Sequence, residues 1–293
     1  MAGKNVSPAP PRRKLTHMPA FTPLSREHPG EEAISCYDEL GVVCLRGAIP
    51  PEWVDIVSRG MDIAQRRNEP GHAFTIRHPG EPGYFFYDTF MWKRIEEFNR
   101  FFRDSPAADL AMNVMRSQTV VFYFDFMLVK EPGTSHKTPW HYDEAYWPIS
   151  GTQMCNLWMV VEPTSIDNTL RFVKGSHRWQ KNYRLMSFDP FHEDYPNPPD
   201  EPPVPDWDEV AGDHEIIYAA LEPGDCVIFH NRIHHSAPGN TADSPRRRAL
   251  ATHWMGDDIR FNDKPHSLGP EIERTSLVHG GRFENEEFIR VRG

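Results

Sequence analysis

The sequence predicts an α+β protein, a β-sandwich or barrel with helices packed on one face. Two observations carry this. Apolar residues recur at helical spacing through the first third of the chain, and from Gln118 onward the pattern changes to short runs rich in β-branched and aromatic residues. Helical segments first and strand segments after, divided by Gly, Pro, Asn and Asp, is an order that layers helices against a sheet.

The elements follow in chain order. Residues 1–30, beginning "MAGKNVSPAPPRRKL", are polar and proline-rich and bury too little to offset their ordering entropy, so a disordered tail is expected there and a single domain over 31–293. "EEAISCYDELG" predicts a short helix that Gly41 stops, and "VVCLRG" a strand. "PPEWVDIVSRGMDIAQRR" opens with prolines where a first helical turn tolerates them and sets Trp53, Ile56, Val57, Met61 and Ala64 on one face. "TFMWKRIEEFNRFFRDS" repeats the pattern with Trp92, Ile95, Phe98 and Phe102, and "PAADLAMNVMRS" follows it. "QTVVFYFDFMLVK", "TQMCNLWMVVE", "TLRFVKG", "IIYAALE", "DCVIFH" and "RRALATHWM" then read as strands. "FDPFHEDYPNPPDEPPVPDWD", residues 188–208, holds too much proline and acid for either element and predicts a long surface loop, of a length that often forms a lid.

Charge and composition exclude some functions. Lys plus Arg number 32 against 42 Asp plus Glu, a formal charge of −10, which leaves no basic stripe for a nucleic-acid partner. No apolar run approaches the ~18 residues of a membrane span, and the N-terminal stretch lacks the apolar core of a secretory signal. Cys36, Cys44, Cys155 and Cys226 are never in C-x-x-C spacing, and three lie in apolar runs. They predict reduced core thiols and a cytoplasmic protein.

Chemistry concentrates in "TPWHYDEAYW". In an extended segment His141 and Asp143, two residues apart, point to the same side and can reach one metal ion. A third ligand must come from elsewhere, and "FHNRIHHSAPGN" offers His230, His234 and His235. Two histidines and one carboxylate, with the remaining positions open, is the arrangement of non-haem Fe(II) oxygenases. A second triplet, His192-Glu193-Asp194, lies in the proline-rich loop, where nothing rigid would hold it.

From about residue 34 to about 260 the chain resembles the phytanoyl-CoA dioxygenase family of Fe(II)/2-oxoglutarate oxygenases. The likeness rests on "LVKEPGTSHKTPWHYDEAYWP", "NTLRFVKGSHRW" and "LEPGDCVIFHNRIHHSAPGNTADSPRRRALATHWMGDD", in that order and spacing. The resemblance implies a double-stranded β-helix (jelly roll), Fe(II) as metal, 2-oxoglutarate as co-substrate and O2 as oxidant. It makes His141 and Asp143 the near pair and, by the register of the "APGN" turn, His235 the distal ligand, with His234 as the alternative and His230 packed nearby. The arginine that opens the following strand would bind the far carboxylate of 2-oxoglutarate. That is Arg247, with Arg246 as the alternative, and alternation places Ala249 and Ala251 on the Arg247 face. Lys130, Thr138, Asn156 and Trp158 are implied to contact the co-substrate, and Tyr146 and Trp147 to shape the substrate side. The implied reaction releases succinate and CO2 while hydroxylating a C–H bond of a small metabolite; a carboxylate at position 143 speaks against halogenation. A CoA ester is disfavoured, since no strongly basic patch would meet its phosphates. Two other classes share the ligands: a metal-dependent hydrolase with Glu144 as its base, and a non-catalytic jelly-roll binding protein, which would have no use for Arg247.

Overall fold

The computed structural model describes residues 14–189, 191, 195, 197–210, 214–240, 245–264, 276–283 and 285–293. The chain enters through two short strands, Lys14–His17 (β1) and Ala20–Phe21 (β2), then helix α1, Glu31–Leu40. Gly41 ends that helix in the left-handed region (φ 83°), its N–H donating to Tyr37 O, and strand β3, Val42–Leu45, starts at once. Helix α2 spans Pro51–Arg67 with prolines at its first turn, and buries Ile56, Val57, Met61 and Ala64 as the periodicity predicts. Strands β4 (Ala73–Ile76) and β5 (Phe85–Thr89) follow. The third helical segment is divided: Met91–Lys93 makes a 3-10 turn and α3 covers Glu96–Asp104, followed by α4, Ala107–Val114.

The strand-rich part comprises β6 (Val120–Lys130), β7 (Thr138–His141), β8 (Ile149–Ser150), β9 (Met154–Val160) and β10 (Arg171–Val173). It continues with β11 (Glu215–Tyr218), β12 (Cys226–His230), β13 (His235–Ala237), β14 (Arg247–Met255), β15 (Arg260–Phe261) and β16 (Arg290–Arg292). The strands form a minor sheet, β1-β11-β10-β13-β7, a major sheet, β2-β3-β12-β9-β14-β6-β5-β4, with β16 also on β6, and a separate β8-β15 pair. The sheets meet face to face through contacts such as Phe172 on Phe229 and His235 on Phe229. This is the jelly-roll sandwich.

Strand β14 shows why a continuous buried run forms here. Every residue of it is buried, because both faces of the sheet are covered. Its odd-numbered residues look between the sheets, and Arg248 on the other face reaches Ser58 and Asp62 of α2. The helices thus pack on the outer face of the major sheet, and the inner face is left for the site. The four cysteines are buried free thiols, as expected.

Two expectations change. Part of the expected tail is ordered: β1 pairs in parallel with β11 over Lys14–Glu215 to His17–Tyr218, and β2 with β3. The gain is backbone pairing along an otherwise open sheet edge, which hydrophobic patterning does not reveal. The proline-rich loop is only partly at the surface. Val204 and Trp207 are buried in a small second core with Trp140, Tyr142 and Tyr183. The triplet His192-Glu193-Asp194 lies outside the described residues.

Candidate active site

Two strands of the minor sheet and the turn that follows the first of them deliver three ligand-type side chains to one point. His141 closes β7, Asp143 follows it into a 3-10 turn, and His235 opens β13 directly across the ladder from His141. Their ligand atoms all lie within 4.8 Å of one another. His141 Nε2 is 3.5 Å and His235 Nε2 3.8 Å from Asp143 Oδ1, and the two rings stand 4.1 Å apart.

Each ring is fixed from behind. Nδ1–H of His141 donates to Pro139 O (2.8 Å) and Nδ1–H of His235 to Ile233 O (3.1 Å). A backbone carbonyl only accepts, so each ring, when neutral, carries its proton on Nδ1 and turns the Nε2 lone pair toward Asp143. Burial pushes His235 down to about 4, which keeps it neutral. Burial alone would raise Asp143, but in acid the charge of the protonated His235 and His141 rings, with a hydrogen bond from His141, outweighs it and brings the carboxylate down to about 2. Two lone pairs and an anionic oxygen therefore converge with no donor hydrogen between them. The group that satisfies them all is a cation, and a ferrous ion suits the nitrogen and oxygen donors.

A second feature lies on the inner face of the major sheet. Arg247 and Lys130 are directly opposite on β14 and β6, 2% and 0% exposed. Arg247 Nη1 donates to Asn168 O (2.9 Å), its Nε has no partner, and its guanidinium lies 5.9 Å from the Trp158 ring centre. Lys130 Nζ donates to Pro238 O (2.8 Å) and Ala237 O (3.4 Å). Burial lowers Arg247 to about 10; burial, then the adjacent guanidinium, pushes Lys130 well below the ordinary lysine range. Neither has a carboxylate within ion-pair distance among the described residues. Two adjacent buried cations with an unmet N–H call for an anion, and a dicarboxylate co-substrate supplies one.

The other sequence candidates separate cleanly. Arg246 points outward, 42% exposed, toward Glu131 (3.5 Å), and Arg248 is clamped by Glu162 (2.6 Å) and Asp62 (2.7 Å). His234 faces away from the cluster, stacks on Tyr142 and accepts Trp207 Nε1–H (3.0 Å). His230 packs beside His177 and Tyr37. Asn156 reaches Asp143 itself, its Nδ2 donating to Oδ2 (3.5 Å). Thr138 sits on β7 opposite Ala237. Tyr146 lies 6.2 Å from the His141 ring and donates its hydroxyl to Met186 O (3.0 Å), whereas Trp147 is core, packed on Tyr123, Phe124 and His253. Glu144 accepts from Arg232 (2.7 Å), so one of its oxygens is taken.

Two side chains at the site went unread in the sequence. Phe188, in the proline-rich segment, sets its ring 4.6 Å from that of His141. Nothing in the sequence brings that loop to the cluster. His253 had a visible signal: it continues the Arg247, Ala249, Ala251 alternation on the inner face of β14.

Comparison with known proteins defines the class first. Solved structures of 2-oxoglutarate-dependent enzymes share the fold. The carbocyclase SnoK of nogalamycin biosynthesis superposes with a TM-score of 0.69 at 21% identity, covering 92% of this chain and 99% of that one. The epimerase SnoN, solved with Fe3+, α-ketoglutarate and nogalamycin RO, gives 0.68 at 20% identity, covering 89% and 98%. In sequence, the multifunctional dioxygenase ausE of Emericella nidulans is 22% identical over 254 residues, 79% of this chain and 75% of its own length. The profile of the phytanoyl-CoA dioxygenase family matches residues 37–249. The chain belongs to the phytanoyl-CoA dioxygenase family, and its activity is that of a non-haem iron, 2-oxoglutarate-dependent dioxygenase.

Proposed function

We propose that His141, Asp143 and His235 hold the Fe(II), that Arg247 with Lys130 holds the far carboxylate of 2-oxoglutarate, and that the enzyme hydroxylates a C–H bond of a small metabolite in the cytoplasm. Residues 31–293 act as one catalytic domain in this reading, with β1 and β2 lending it edge strands. The observation that carries it is the convergence of two Nε2 lone pairs and one carboxylate oxygen within 4.8 Å, with no hydrogen to share. The buried cation pair supports the co-substrate assignment.

Bound there, iron and 2-oxoglutarate would supply, from O2, the oxidising power for hydroxylation, with release of succinate and CO2. The chain's own residues do the rest. Pro139 O and Ile233 O fix the two rings in the ligating tautomer. Phe188, Phe172 and Phe229 surround the histidines with hydrocarbon and limit water. Arg247 and Lys130 give an anion two cations whose desolvation cost folding has already met. In the hydrolase reading the base would be Glu144, which Arg232 holds through one oxygen, and that reading leaves the buried Arg247 without a use. Small-molecule chemistry of the relatives, among them a SnoN complex with nogalamycin RO, supports a metabolite substrate.

The test is a binding and turnover pair. Wild-type protein should bind Fe(II) and 2-oxoglutarate and release succinate, and Asp143→Ala should lose the metal and the turnover. Succinate release by metal-loaded Asp143→Ala at the wild-type rate would place the metal elsewhere.

A further inference from the structure

We propose that His253 is a positioning residue for the metal site, acting through Asn156 to hold Asp143 as a one-oxygen ligand; this rests on the metal assignment above. The four side chains involved form one row across the fold. Phe124, His253 and Asn156 are directly opposite one another on β6, β14 and β9, and Asp143 lies beyond Asn156 on the facing layer.

The hydrogen-bond logic runs one way. His253 Nδ1 is 3.1 Å from Phe124 O, an acceptor, so Nδ1 carries the proton and Nε2 is left to accept. Asn156 faces that Nε2 at 2.9 Å, so its NH2, not its oxygen, must point there. The second hydrogen of the same NH2 is then directed at Asp143 Oδ2, 3.5 Å away. Oδ1, the other carboxylate oxygen, is the one that faces His141 and His235. The amide so occupies the oxygen the metal does not use, and disfavours two-oxygen binding, which would consume a coordination position. His253 is itself gripped: it stacks on Phe124 at 4.1 Å and 7°, with the Trp147 edge against it at 5.0 Å. Its hydrogen-bonded link to Asp143 runs through Asn156.

The experiment titrates Co(II) into the metal-free full chain by calorimetry and follows cobalt's visible bands, whose intensity reports coordination number. Asn156→Ala, with the isosteric Asn156→Leu in parallel, should weaken Co(II) by about 10–100-fold, the usual cost of losing a partner behind a metal ligand. It should also change band intensity as Asp143 becomes free to bind through both oxygens. His253→Phe keeps the stack and removes the acceptor, and should move both readouts the same way. His253→Gln, which restores an acceptor, should return affinity to within about threefold of wild type. The double variant should be no weaker than Asn156→Ala alone, because the two residues act in series. Wild-type affinity and spectra in Asn156→Leu and His253→Phe, with Asp143→Ala unable to bind, would overturn the proposal and leave the metal assignment standing. Additive losses in the double variant would overturn the series arrangement. Unimpaired binding by Asp143→Ala would overturn the metal assignment, and this inference with it.

Discussion

Arg247 and Arg248 are neighbours on one strand, similarly withdrawn from water, and treated in opposite ways. Arg248 faces the helices and is matched: Glu162 and Asp62 take its guanidinium, and Ser58 adds a hydroxyl. Arg247 faces the space between the sheets, has one carbonyl acceptor, keeps an unmet N–H and stands opposite a second buried cation, Lys130. A buried charge that is paired holds a fold together. One that is left unpaired, beside another of the same sign, costs stability and persists where something else binds it.

The comparison breaks most readily at these two arginines. Arg248→Ala should lower unfolding free energy by about 2–3 kcal/mol, below the range for a fully buried pair because Asp62 is half exposed, and should leave 2-oxoglutarate affinity near wild type. Arg247→Met should do the reverse. Losing charge-assisted hydrogen bonds worth roughly 1.5–3 kcal/mol weakens 2-oxoglutarate by about 10–150-fold, while the melting temperature holds or rises. Equal destabilisation by both variants, read in urea melts, would erase the distinction.

The adjacent histidines sharpen it at intermediate size. His235→Ala should abolish metal binding. His234→Phe should keep the metal and instead cost about 1–3 kcal/mol of stability, since the Trp207 N–H loses its buried acceptor. Metal titration and melting of the two variants check this; metal loss in His234→Phe would exchange their roles.

The remaining test is of pH. Burial holds His235 and His253 at about 4 in the folded chain, against roughly 6.5 when unfolded. Between those values the unfolded state binds more protons, so metal-free protein loses stability as pH falls from about 6.5 to about 4. The slope is up to about 1.4 kcal/mol per pH unit for each ring. Asp143 adds a contribution that is present above about 4 and lost as pH falls toward 2. Urea midpoints measured across this range should fall steadily on acidification, and His253→Phe should make the slope shallower by one proton; a flat wild-type profile contradicts the buried neutral rings.

Much of this was legible in residue order. The period change at Gln118, the H-x-D pair and the strand alternation that groups Arg247 with Ala249 and Ala251 are local features, and local features survive into the fold. What stayed hidden was non-local. In space the His235 ring faces Asp143 and the His234 ring meets Trp207, a residue 27 positions away. Trp147 reads as a pocket aromatic and is core because Tyr123 and Phe124 come to meet it. Phe188 reaches His141 from a segment with no periodic signal at all.

One irregularity on β6 has a larger reach than its size. Opposite β14 the ladder passes from His253–Phe124 to Trp254–Phe122, so Tyr123 is an extra residue, a bulge. Tyr123 and Phe124 both meet Trp147, while Phe122 turns to Trp92 and Phe102 among the helices. Three consecutive aromatics, which defy a two-residue alternation, are its trace in the sequence. The spare residue works as a phase shifter: it lets one strand serve the helical layer at one end and cover His253 at the other. Excising Tyr123 would force the strand to choose, surrendering either the aromatic seam beneath the helices or the ring stacked on His253.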